Sequence, residues 1–124
     1  MVMVSERIAA IEKGMAYTTF TRLAERLGVS EERLRTVLGF SAATLHRRKV
    51  AGRFTLDESN RLYWLESLLD LADRVLEDSE ETKVFMTTGN LALGGAIPLD
   101  YARTAPGLEA VRRLLLQLDY GVIV

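Results

Sequence analysis

The stretch TGNLALGGAIPLDYA, Thr88 to Ala102, crowds Gly89, Gly94, Gly95 and Pro98 together. Such crowding raises phosphate chemistry first. A P-loop runs G-x-x-x-x-G-K-[ST]; its backbone cradles phosphates, its lysine reaches them and its hydroxyl holds magnesium. Gly89 and Gly94 have that spacing, but Gly95 stands where the lysine belongs and Ala96 where the hydroxyl belongs. No strand pattern precedes the run. Nucleotide binding is rejected, and the glycines must serve a turn or a surface.

Other chemistry is as thinly supplied. The absence of cysteine excludes disulfides, thiolate metal sites and cysteine nucleophiles, and His46 is the only histidine. No nucleophile, acid–base pair or metal set converges, so the chain reads as no enzyme, with no metal and no cofactor. Asp57 and Glu58 are better read as helix-start residues. What remains is SAATLHRRKVAGR, which puts Ser41, Thr44, Arg47, Arg48, Lys49 and Arg53 on or just after one short helix. Hydroxyls and guanidiniums along one helix face are what phosphate oxygens and guanine edges require.

The elements that must position these groups follow from composition and periodicity. A chain of 124 residues, 48% hydrophobic and 27% charged, is long enough for one compact domain or two small ones sharing a core. There is no secretory apolar region and no run near the ~18 residues of a membrane span, so the expected location is cytoplasmic. The net charge of −1 hides an asymmetry: residues 1–55 hold ten Lys/Arg against five Asp/Glu, while residues 56–124 hold six against twelve. A basic half suits a phosphate backbone, and an acidic half suggests a second, different partner.

Apolar residues recur at helical spacing almost throughout. A first helix over 5–13 would turn Ile8, Ala9 and Ile11 inward. A second, from Thr18 or Thr19 to Gly28, carries Phe20, Leu23, Ala24 and Leu27 on one stripe. Ser30 starts a third, with Glu31 and Glu32 in its first turn and Leu34, Val37 and Leu38 buried. Ser41 starts a fourth, which Gly52 closes. The breaks LGVSEE and LGFSAA both have the glycine–hydrophobe–serine form of a helix-turn-helix corner, with Val29 or Phe40 as the plug. Local pattern favours the first register, because Arg35 occupies a place usually small in the second. Chemistry favours the second.

Thr55 and Glu58 form a capping box that opens a long helix from Leu56 to about Leu76, with Leu62, Leu65, Leu69, Ala72 and Leu76 on one stripe. Its wide apolar face should pack between the two halves or against a second copy, and Tyr63 and Trp64 could seat at such a contact. Asp78 and Glu81 make a second capping box for a helix through Phe85 and Met86. Pro98 starts a short helix, and Thr104 starts a last one that turns Leu108, Val111, Leu114, Leu115 and Leu118 inward. The final Val122 to Val124 is wholly apolar, and such an end either folds back or enters a partner.

The run GNLALGGAIPLDYARTAPGLEAVRRLLLQLDYGV resembles the toxin-binding domain of Xre/MbcA/ParS-like antitoxins, at Asn90, Ala92, Leu93, Gly94, Gly95, Pro98, Leu99, Thr104, Gly107, Val111, Leu115, Gly121 and Val122. FSAATLHRRKVAGRFTLDESNRL is similar to the same family's Xre-like helix-turn-helix and its junction. One departure is Phe85-Met86, where the family often has tryptophan. The resemblance implies an all-α fold: an N-terminal helix-turn-helix bundle, residues 1–55, joined by a long helix to a small helical C-terminal toxin-binding domain, residues 56–124. It implies an antitoxin, usually a homodimer, whose partners are operator DNA and a RES-domain toxin that consumes NAD or uses it for ADP-ribosylation. Ser41, Thr44, Arg47, Arg48 and Lys49 would face DNA. Asn90, Leu93, Gly94, Gly95, Pro98, Tyr120, Gly121, Val122, Ile123 and Val124 would face the toxin, with the apolar end closing its NAD site. The alternative is a stand-alone transcriptional regulator whose C-terminal half only dimerises.

Overall fold

In the computed structural model, which describes residues 3–120, the chain folds into eight α-helices and one short 3-10 turn. They are α1 (Val4–Lys13), α2 (Tyr17–Leu27), α3 (Glu31–Leu38), α4 (Ala42–Ala51), α5 (Leu56–Leu76), α6 (Ser79–Thr87), α7 (Pro98–Tyr101) and α8 (Ala105–Asp119), with the 3-10 turn at Leu91–Leu93. The all-α class expected from periodicity is what the structure shows. No helix is long and apolar enough to cross a membrane among the described residues.

Both serine starts form as expected. The Ser30 hydroxyl accepts from the Arg33 N–H at 3.1 Å, and the Ser41 hydroxyl accepts from the Thr44 N–H at 3.0 Å, each occupying a donor that a helix start leaves unpaired. The two corners before them are built alike. Gly28 and Gly39 take left-handed backbone, and the Val29 and Phe40 N–H groups reach back to the Ala24 and Arg35 carbonyls, both at 3.1 Å. Phe40 is buried, whereas Val29 is only partly so. Arg35, oversized for the second corner by pattern, spans it instead: its guanidinium donates to the Phe40 carbonyl at 2.7 Å and pairs with Glu32.

The core runs through both halves. Phe20, Leu23 and Leu27 of α2 and Leu34 of α3 join Leu62, Leu65 and Leu69 of α5, and the same core continues into Met86, Leu99, Val111 and Leu115. α5 contacts α1, α2, α6 and α8, so its wide apolar face is covered from both ends of the chain. Phe54, in the link before α5, stacks on Tyr17 and Phe40 with ring centres 5.7 and 5.5 Å away. The link is pinned further by an antiparallel bridge between Ala16 and Arg53 and by the Met15 N–H donating to the Ser59 hydroxyl at 2.8 Å.

Three expectations need correction. α1 buries none of its residues: Ile8 is 51% exposed and Ala9 is exposed, although α1 contacts α5. There the Ser67 hydroxyl and the Arg7 guanidinium hold the Tyr63 phenol below its usual range. Leu118 is 48% exposed, since α8 has already run past the packing surface by its last turn. The second capping box does not close; Asp78 accepts from the Glu80 N–H at 2.8 Å, which leaves Glu81 outside the cap. The end of α5 is also unusual: its last turn closes on Glu77, a non-glycine residue in left-handed backbone at φ 59°. A side chain is strained there. Glu77→Gly is expected to raise stability by about 0.5–1 kcal/mol, the strain relief exceeding the added chain entropy, as read by chemical denaturation.

Candidate functional site

Helix α4 has no buried residue, and Leu45 is its anchor into the core. A helix so placed offers most of its circumference to a partner. Its first turn carries a ladder: the Ser41 hydroxyl donates to Thr44 Oγ1 at 2.9 Å, and the Arg47 guanidinium donates to the same oxygen at 3.1 Å. These three residues follow at successive helical turns on one exposed face. Lys49 and His46 are exposed and make no side-chain hydrogen bond or ion pair among the described residues.

Arg48 is placed differently. Its guanidinium forks onto Glu58 of α5, Nε to Oε1 at 2.6 Å and a terminal nitrogen to Oε2 at 3.1 Å. Glu58 also accepts the Thr55 N–H at 2.9 Å while its own N–H donates to the Thr55 hydroxyl at 3.3 Å, so the expected capping box is present and carries an extra guanidinium. Burial pushes the Glu58 carboxyl up, but the bonds from Arg48 and from Thr55 outweigh it and hold the group below the usual carboxylate range. One carboxylate thus fixes the start of α5 and the end of α4 together. Arg53 donates to the Gly14 carbonyl at 3.0 Å, so it serves the link.

The competing helix, α3, has spent its polar groups inside the molecule. Arg33 pairs with Asp100 at 3.6 Å, Arg35 closes the next corner, and the Thr36 hydroxyl returns to the Glu32 carbonyl at 3.1 Å. Charge asymmetry between the halves is likewise partly answered within the chain. Arg26 pairs with Asp70 and Asp73, both at 3.0 Å, and Arg33–Asp100 and Arg48–Glu58 also join the basic half to the acidic one.

The glycine-rich stretch is an ordered loop organised around Asn90. The Asn90 N–H donates to the Ala96 carbonyl at 3.0 Å, its own carbonyl accepts from Leu93 and Gly95, and its side chain accepts from the Ala92 N–H at 2.9 Å. Gly94 and Gly95 have φ of +68° and +89°, which the reversal requires, and a side chain on either would meet nothing within 4 Å. Gly89 answers to space instead: an added Cβ would lie 2.7 Å from the Gly95 carbonyl oxygen. Leu93 packs against the core, and Pro98 and Leu99 are buried as the first turn of α7. Of the expected partner-facing residues, then, Gly94 and Gly95 lie exposed, Asn90 and Leu93 are half-buried, and Pro98 is buried. Tyr120, at the end of α8, is 77% exposed. Gly121, Val122, Ile123 and Val124 lie outside the described residues. Leu91, which lies outside every apolar stripe, is 95% exposed.

A third feature is an apolar groove of about 350 Å³ between the end of α3, the middle of α5 and the start of α8, lined by Val37, Leu38, Leu65 and Leu108, with Trp64 on its edge. Trp64 is 52% exposed. No group of acidic or histidine side chains able to hold a metal occurs among the described residues.

Comparison with known proteins gives two adjoining matches. Residues 6–67 match the antitoxin Xre-like helix-turn-helix domain, and residues 71–121 match the antitoxin Xre/MbcA/ParS C-terminal toxin-binding domain. The two meet inside α5. No curated protein matches the chain.

Proposed function

The chain belongs to the Xre/MbcA/ParS-like antitoxins, a family of binding proteins and not of enzymes, and from that premise we propose that it neutralises a RES-domain toxin and represses its own operon. Its partners are a toxin and DNA: the first domain is of the helix-turn-helix type and the second is toxin-binding. The choice of a RES-domain enzyme as the toxin rests on the motif string from Asn90 to Val122. Neutralisation proceeds by occlusion, the glycine loop and the end beyond α8 covering the NAD cleft. The observation that carries this reading is the division of the molecule into two outward-facing devices on one core, the bare helix α4 and the ordered Asn90 loop. Pull-down with the product of the neighbouring gene tests it. A RES-domain protein retained in a stable complex supports the reading, and a neighbour of another kind, or one that does not bind, defeats it.

For DNA, the geometry supports α4 as the helix that enters the groove and divides labour along it. Ser41, Thr44, Arg47 and Lys49 face outward, whereas Arg48 fastens the helix to α5. A second copy seated on the Trp64 groove would pair two such helices, which suits paired half-sites. Arg47→Ala is expected to weaken operator binding and to lower the slope of log affinity against log salt by about 1, the loss of one phosphate contact. Arg48→Ala is expected to weaken binding together with thermal stability, because it frees the helix. Fluorescence anisotropy across a salt series, with melting curves, separates the two. Unchanged affinity in both variants would move the contact surface to α3.

A further inference from the structure

Between Lys83 and Asp100 the chain carries no charged residue, although 27% of the whole is charged. Part of that run is core, with Met86 and Leu99 fully buried and Phe85, Leu93 and Ile97 packed beside them. The rest faces solvent: Thr88, Gly89, Leu91, Ala92, Gly94 and Gly95 are all exposed. An uncharged patch on a charged protein is the composition of an interface core, from which charges are depleted.

Leu91 stands in the middle of this patch, and at 95% exposure it covers nothing of its own chain. Local disorder does not explain it. Its carbonyl accepts the Gly94 N–H at 3.0 Å, and the residues on either side are tied by the Asn90 hub, with the Asn90 N–H on the Ala96 carbonyl closing the loop. A leucine presented on a loop with this many internal bonds is set before its partner arrives, which removes much of the ordering cost of association. The geometry points to Leu91 as the anchor of the toxin contact: a single apolar knob that enters a leucine-sized, uncharged pocket on the toxin, with the bare backbone of Gly94 beside it letting the partner's chain come close. The toxin is the occupant because the residues matched to the toxin-binding domain, 71–121, include the whole loop. The inference rests on the antitoxin reading and adds to it a second point of attachment, separate from the chain end beyond Tyr120.

Gly94 permits a further distinction. Its φ of +68° and ψ of 24° are values that asparagine also adopts, and the space around it is open. Gly94→Asn therefore keeps the reversal and adds bulk only toward the outside.

The test uses the full chain, the product of the adjacent gene immobilised as the probe, and the variants Leu91→Asp, Leu91→Ala and Gly94→Asn. Leu91→Ala is expected to raise the dissociation constant at least about thirtyfold, as for a central interface anchor, and Leu91→Asp to abolish binding. Gly94→Asn is expected to weaken binding as well. Melting temperature and operator affinity of the Leu91 variants should match the parent, since the side chain supports nothing internal. If the parent binds and the Leu91 variants bind equally well, the anchor assignment is overturned while the antitoxin reading stands. If the parent itself does not bind, the antitoxin reading falls and takes the anchor with it. A change in oligomeric state of the isolated Leu91 variants would assign the knob to a second copy and likewise overturn it.

Discussion

A chain that stops at Asp119 is expected to bind its operator as the full-length protein does, yet to leave cells that express the toxin unprotected. This outcome is expected because the proposed occluding end, Tyr120 to Val124, follows the last buried position of α8, Leu115, in the chain, while the helix proposed to face DNA, α4, lies in the first half of the sequence. Every buried residue of α8 stays in the truncated chain, which is expected to melt within a few degrees of the parent. Neutralisation is expected to fall by at least about a hundredfold in the ratio of antitoxin to toxin needed for growth, since the loss removes a whole contact and not one side chain. Growth rescue scored beside operator affinity checks it. Loss of both properties, or of neither, would favour a plain regulator whose C-terminal half only dimerises.

Glu58→Ala is expected to cost about 2 kcal/mol of stability and to weaken operator binding, although Glu58 is buried and its bonds are made within the chain. The carboxylate holds the Thr55 N–H at the start of α5 and the forked Arg48 guanidinium from α4. Its loss leaves the Thr55 N–H without its carboxylate partner and removes the side-chain fork that ties α4 to α5. The pH dependence follows in sign. In the folded chain the bonds from Arg48 and Thr55 hold the Glu58 carboxyl below its unfolded counterpart. Its contribution is therefore complete above the unfolded value and disappears as pH falls through the lower folded one. Glu58→Gln should flatten that acid limb while behaving more like the parent at low pH. Denaturation midpoints measured from neutral pH down to about 3 would show it, and an acid limb identical in parent and glutamine variant would contradict the assignment.

These two expectations draw on different parts of what the sequence makes legible. Stripe and cap signals are local, and they located α2 to α5 well: Phe20, Leu23, Ala24 and Leu27 are all buried, and Ser30, Ser41 and Thr55 all cap. The misses are tertiary. Nothing in the spacing of Ile8 and Ala9 says that α1 would meet α5 and still leave both exposed, and nothing in the stripe of α8 says that packing would stop short of Leu118. Charge was informative only in part, because a count by halves cannot see that Arg26, Arg33 and Arg48 reach across to Asp70, Asp73, Asp100 and Glu58. For the site, the ladder of Ser41, Thr44 and Arg47 was visible at helical spacing. Arg48 looked the same in sequence, and only the position of α5 separates its task from that of Arg47. Leu91 had a signal that went unread, the uncharged run from Val84 to Leu99.

The central claim is occlusion of a partner enzyme by the C-terminal part of this chain. The most direct test is NAD turnover by the purified product of the adjacent gene, titrated with the full-length protein. Turnover is expected to fall linearly to zero at a fixed whole-number ratio, with no such fall for the chain ending at Asp119. Turnover that stays at its starting rate in a saturated complex would contradict it.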